Sequence, residues 1–150
     1  MKISLKFLLV VGVAALLFPL INLIVDKPVE IAPEMLQGKS PSFLKAAPVL
    51  QESCLTCHSF HTQLPWYASL PLAKQIISNN IQEAREEVDL EKALFTPGKQ
   101  PSLKLLKHIK SEIDESAMPP LEYQALHWKS VLSANKKQAI LDWINEQQAA

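Results

Sequence analysis

The sequence predicts an all-α domain preceded by one N-terminal transmembrane helix. Three observations lead there. Alternating β-branched residues are missing outside the N-terminal segment, apolar residues recur at helical spacing from residue 71 onward, and the 19 residues from Phe7 to Val25 form an apolar run interrupted only by Pro19 and Asn22.

At 1.5 Å per residue the apolar run extends about 28 Å, close to the hydrocarbon thickness of a bilayer. A secretory signal has a shorter apolar region followed by a small-x-small cleavage site, and Leu23-Ile24-Val25-Asp26-Lys27 offers none. Residues 1–27 therefore read as an uncleaved signal-anchor, with a cleaved signal as the alternative. Lys2 and Lys6 precede the run and place the N-terminus in the cytoplasm, so the chain from Asp26 onward is exported. The expected location is the bacterial inner membrane, crossed once through residues 7–25, with the domain in the periplasm. With Lys2 and Lys6 set aside, 13 basic residues face 15 acidic ones, a net charge of −2 that excludes nucleic acid as the partner. The exported residues suffice for one small domain and are too few for two.

Residues 28–47 contain Pro28, Pro33, Pro41 and Gly38 and read as an extended linker. The domain is expected over 48–150. Pro48 suits the first turn of a helix carrying Val49 and Leu50 into Cys54, because a proline there lacks only an N–H that would have no partner. A second helix begins near Pro71, with Ala73, Ile76, Ile77, Ile81 and Ala84 on one face. Thr96-Pro97-Gly98 ends that region. Ser102 is an N-cap for a third helix whose inward stripe is Leu105, Leu106, Ile109 and Ile113. Ser133 opens the last helix, with Ile140, Trp143 and Ile144 inward; Lys136 stands where a capping box would have glutamate.

Between the first two helices lies Cys54-Leu55-Thr56-Cys57-His58, the C-x-x-C-H spacing of c-type haem attachment. Two thiols three residues apart can each form a thioether to one of the two porphyrin vinyl groups, and His58 then reaches the iron. Zinc would need two further ligands at finger-like spacing, and the chain has no third cysteine. A dithiol redox site of the thioredoxin kind would need strands. One motif implies one haem c, held through Cys54 and Cys57. Its apolar plate would complete a small core, coupling its binding to folding as a structural metal does.

Met118 is the expected second axial ligand. It is the one methionine inside the domain, and Pro119 and Pro120 make its loop stiff enough to hold sulfur against iron. His108 competes for that role from beside the third helix's stripe, while His61 is too near His58 to reach the opposite face. Trp66, Tyr67 and Arg85 are candidate cofactor-binding residues, as donors to the anionic haem propionates. His127 could serve a propionate or a backbone group. Pro65 or Pro71 could lend a carbonyl to the ring N–H of His58. The acidic stretch Glu83, Glu86, Glu87, Asp89 and Glu91 reads as a solvated helix end able to steer a basic redox partner.

The string Cys54-x-x-Cys57-His58-Ser59, Thr62, Pro65-Trp66-Tyr67, Arg85, Met118-Pro119-Pro120, Leu132-Ser133 and Trp143-Ile144 resembles the bacterial haem-binding domain family of monohaem c-type cytochromes, over roughly residues 48–146. Ala84 stands where that family usually has glycine, and Val88, Asp89 and Leu90 replace its asparagine and tryptophan. The resemblance implies a cytochrome c-like helical fold around one covalent haem, attached outside the cytoplasmic membrane. The expected function is that of a membrane-anchored monohaem c-type cytochrome passing single electrons between exported redox partner proteins, with no catalysis of its own. The alternative is a haem-based sensor or peroxidase-like protein whose sixth coordination site opens.

Overall fold

Helix α1 (Leu5–Val25) takes up the whole apolar run, in a computed structural model that describes residues 4–149. Its most apolar 18-residue stretch has a mean hydropathy of 2.8 and is mostly exposed, so by length and composition the helix can cross a membrane. Lys2, one of the two lysines expected to orient it, lies outside the described residues. The final turns of α1 are not free. Phe18, Asn22 and Asp26 follow one another at i, i+4 and i+8, which brings them onto one face, and that face meets the domain.

The expected extended linker over 28–47 does not hold. A short helix, α2 (Pro33–Leu36), is followed by α3 (Pro41–Ser53), and Val29, Phe43, Ala46 and Ala47 are all buried in the core. The first turn of α3 holds Pro41 rather than Pro48: the Ser40 hydroxyl accepts the Phe43 N–H at 3.3 Å, the usual serine cap with proline just inside. Pro48 sits within the helix, where proline costs roughly 3 kcal/mol. Burying Phe43, Ala46 and Ala47 outweighs that cost, because one phenylalanine alone returns up to about 3 kcal/mol on burial.

The C-x-x-C-H motif forms α4 (Leu55–His58), and a 3₁₀ turn at Trp66–Ser69 leads into α5 (Pro71–Glu87), which begins at the expected proline. A helix that periodicity did not suggest, α6 (Leu90–Leu94), is capped by Asp89, whose carboxylate accepts the Lys92 N–H at 3.0 Å. Helix α7 (Leu103–Asp114) is capped by Ser102 and buries Leu106, Ile109 and Ile113 of the predicted stripe, while Leu105 is only half-buried against the core. Helix α8 (Leu121–Leu126) and a second 3₁₀ turn at Trp128–Ser130 precede α9 (Ala134–Ala149), which buries Ile140, Trp143 and Ile144. No strand occurs among the described residues, so the all-α class stands.

The core is centred where α3 crosses α9. Phe43 packs edge-on against Phe95 and Trp143, both with ring centroids at 5.2 Å. Lys39 reaches across to donate to the Leu94 carbonyl at 2.8 Å and so ties the segment before α3 to the end of α6. On α5 only Ile81 and Ala84 of the predicted stripe are buried. Ile77 on the same face lines a cavity instead, which is what places the functional site between α4, α5 and α7.

Candidate functional site

Cys54 ends α3 and begins the turn of α4, and the N–H groups of Cys57 and His58 both donate back to the Cys54 carbonyl, at 3.2 and 3.1 Å. That single turn presents both thiols and the imidazole to one cavity of about 310 Å³. The turn is clasped from outside. The Thr62 hydroxyl donates to the Thr56 carbonyl at 2.8 Å, and Arg85 Nε donates to the Ser59 carbonyl at 2.8 Å. His58 is buried, and its Nδ1–H donates to the Val88 carbonyl at 3.2 Å, so Nε2 is left as the nitrogen with a free lone pair.

Met118, Pro119 and Pro120 line the same cavity, as do Tyr67, Tyr123 and His108. Much of the remaining wall is apolar, including Leu50, Ile77, Ile109 and Leu132. His108 is held at its edge by Glu87, at 2.8 Å. Tyr123 donates to the Thr56 hydroxyl at 3.1 Å and stacks on His127 with centroids 4.1 Å apart. Buried His127 accepts the Tyr67 hydroxyl on Nε2 and donates from Nδ1 to Asp26, so both of its ring nitrogens are taken by side chains. Burial, followed by the charges of Asp26 and Cys57, pushes the Tyr67 hydroxyl up to about 12, and Tyr123 is raised in the same direction, chiefly by burial.

Two candidate cofactor-binding residues face elsewhere. Trp66 leans on Phe18 of α1 with centroids at 5.1 Å, and its indole N–H donates to Asn22 Oδ1 at 3.1 Å, because an indole on an apolar surface still needs an acceptor. Arg85 spends its Nε on the Ser59 carbonyl and lays its guanidinium over Phe60 at 5.0 Å, lining a separate groove. The carbonyl that orients His58 belongs to Val88, where Pro65 or Pro71 was expected. Nor is Glu91 part of a solvated helix end. It is buried, accepts the Ser59 hydroxyl and sits 2.9 Å from His61 Nδ1. Only the His127 and Tyr123 pairing had a sequence signal, the i, i+4 spacing across α8. A backbone carbonyl and a glutamate within an acidic run carry none.

The residues present fit a haem. The wall accommodates an apolar plate, His58 offers one oriented nitrogen and Met118 a thioether, and Ser53 Oγ in the cavity wall is buried without a hydrogen-bond partner among the described residues. Burial pushes the Cys54 thiol up to about 12, with Cys57 adding to the effect, and burial raises Cys57 against the opposing pull of Arg85. Thiols kept protonated at neutral pH are the reverse of a dithiol exchange site, whose attacking cysteine is acidic.

Comparison with known proteins agrees with this geometry. The haem-binding domain family matches residues 18–146, so its domain includes the last turns of α1 that dock on the helical body. The chain is also similar to cytochrome c peroxidase of Escherichia coli (strain K12), with 33% identity over 101 residues. The match covers 66% of this chain and 22% of that protein, so the chain spans less than a quarter of the curated relative. No solved structure matches. The relative corrects one expectation, that of a chain with no enzymatic role: the shared stretch occurs within a protein named a peroxidase. Haem is thus the group this chain binds, as a member of the haem-binding domain family.

Proposed function

We propose that this chain is a membrane-anchored monohaem c-type cytochrome that moves single electrons between exported redox partners. The observation that carries the reading is the cavity shared by Cys54, Cys57, His58 and Met118. In this reading Cys54 and Cys57 would hold haem c through thioethers, and His58 Nε2 and the Met118 thioether would ligate its iron. Haem, when bound, supplies an iron that gains and loses one electron at a time. The chain's own residues do the rest. Val88 fixes the tautomer and direction of His58, the two prolines stiffen the Met118 loop, and the apolar wall excludes water. Glu83, Glu87, Glu112 and Glu122 stand around the cavity, a rim suited to a partner with a basic face. The length and hydropathy of α1 support anchoring, and Lys2 and Lys6 ahead of the apolar run favour a domain on the periplasmic side.

Acid–acetone extraction followed by intact-mass measurement tests the attachment. Haem stays with the polypeptide if the thioethers exist and is stripped if they do not. The name of the Escherichia coli relative favours a second reading, in which the sixth position opens and peroxide is reduced. Stoichiometric, rapid reaction of the unmodified reduced protein with peroxide or carbon monoxide selects the second reading over the first.

A further inference from the structure

We infer that the haem-binding domain is not suspended above the bilayer on a tether but is partly immersed in it, with the edge formed by Leu64, Trp66, Leu70, Leu72 and Trp128 seated in the lipid of the periplasmic leaflet. This rests on the reading of α1 as a membrane anchor.

The end of α1 and the domain form one body. Phe18 packs against both Trp66 and Tyr67, at 5.1 and 5.2 Å. Asn22 is 2% exposed; its amide donates to the Leu126 carbonyl at 2.9 Å and its oxygen accepts from Trp66. Lys129 closes on the Leu23 carbonyl at 2.8 Å, and Asp26 pairs with His127. An asparagine within an apolar helix is costly in lipid unless both ends of its amide are bonded, and here the domain supplies both partners.

Length then sets the depth. The 21 residues of α1 extend about 30 Å, just the thickness of the hydrocarbon layer, and Phe18 lies about 10 Å short of the far end. A domain held clear of the lipid would leave only Leu5–Leu17, about 20 Å, to cross a layer of about 30 Å. Immersing the docked edge removes this deficit, and the edge has the composition for it. Leu64, Trp66, Leu70 and Trp128 are all exposed apolar side chains, Leu72 is 85% exposed, and Trp66 and Trp128 are of the type that settles at the membrane interface. Leu20, Ile21, Ile24 and Val25, at the same depth on α1, are exposed as well.

The test uses full-length holoprotein in nanodiscs of phosphatidylethanolamine and phosphatidylglycerol. Single variants Leu72→Cys, Val11→Cys and Lys104→Cys are reacted with a charged, membrane-impermeant maleimide, and the rate at each site is read by peptide mass mapping. Val11 reports lipid and Lys104, exposed on α7, reports water. The expected result is loss of reactivity at Leu72→Cys to the level of Val11→Cys. Reaction at the rate of Lys104→Cys while Val11→Cys stays protected overturns the immersion and leaves the anchor standing. Free reaction of Val11→Cys overturns the anchor and the immersion together.

Discussion

Replacing Phe43 with alanine distinguishes a linker from a structural helix. In an extended linker the change would cost almost nothing. In the structure Phe43 is buried and meets Phe95 and Trp143 edge-on at 5.2 Å each. Truncating a buried phenylalanine costs about 3–5 kcal/mol, and edge-to-face pairs add about 0.5–1.5 kcal/mol each beyond their buried area, so Phe43→Ala belongs near the upper end, about 4–5 kcal/mol. Against a total stability of about 5–15 kcal/mol this is a large fraction. Urea unfolding of the holoprotein in detergent, followed by far-ultraviolet circular dichroism, measures it as a lower midpoint at unchanged slope. Leu44→Ala is the control, since Leu44 neighbours Phe43 on α3 but is exposed. It should cost less than about 1 kcal/mol. If Phe43→Ala costs no more than Leu44→Ala, the placement of residues 41–47 in the core is wrong.

Three further perturbations address the site. Met118→Ala should abolish the weak near-infrared band of thioether-ligated ferric haem, lower the reduction potential and let the reduced protein bind carbon monoxide rapidly; survival of the band means that another residue is the ligand. Glu91→Ala removes the carboxylate that accepts the buried Ser59 hydroxyl and faces His61, and should cost about 1–3 kcal/mol in urea unfolding, whereas an exposed acidic residue would cost next to nothing. Burial raises the Tyr67 hydroxyl from 10.0 to about 12. The folded protein thus holds that proton more tightly than the unfolded chain, and this contribution to stability is intact below about pH 10 and lost as pH rises toward 12. Tyr67→Phe should flatten the fall of the urea midpoint over that window, and an unchanged pH profile would show that the hydroxyl is not buried.

What the sequence determined by itself is short-range. The C-x-x-C-H turn brings two thiols and an imidazole together within five residues, so no other part of the chain is needed to see that they share one site. Helices α5, α7 and α9 announce themselves by a proline or serine at the start and an apolar face repeating every three to four residues, both properties of a single segment. That α1 is able to cross a membrane is likewise a matter of length and apolar content. The tertiary structure decided whatever depends on which distant group a side chain meets. Pro28, Pro33 and Pro41 suggested a spacer, but the burial of Phe43 against Trp143 of α9 turned its second half into a helix. Val88 rather than a proline carbonyl orients His58 because the end of α5 happens to pass over α4, thirty residues away. Glu91 left its acidic run for the interior because Ser59 and His61 were there to donate to it, and Trp66 and Arg85 turned from the cavity because Asn22 and the Ser59 carbonyl were the acceptors within reach. Local periodicity sets which residues are helical, whereas a hydrogen bond between remote groups forms only after the helices have packed, so its partner cannot be read from spacing along the chain.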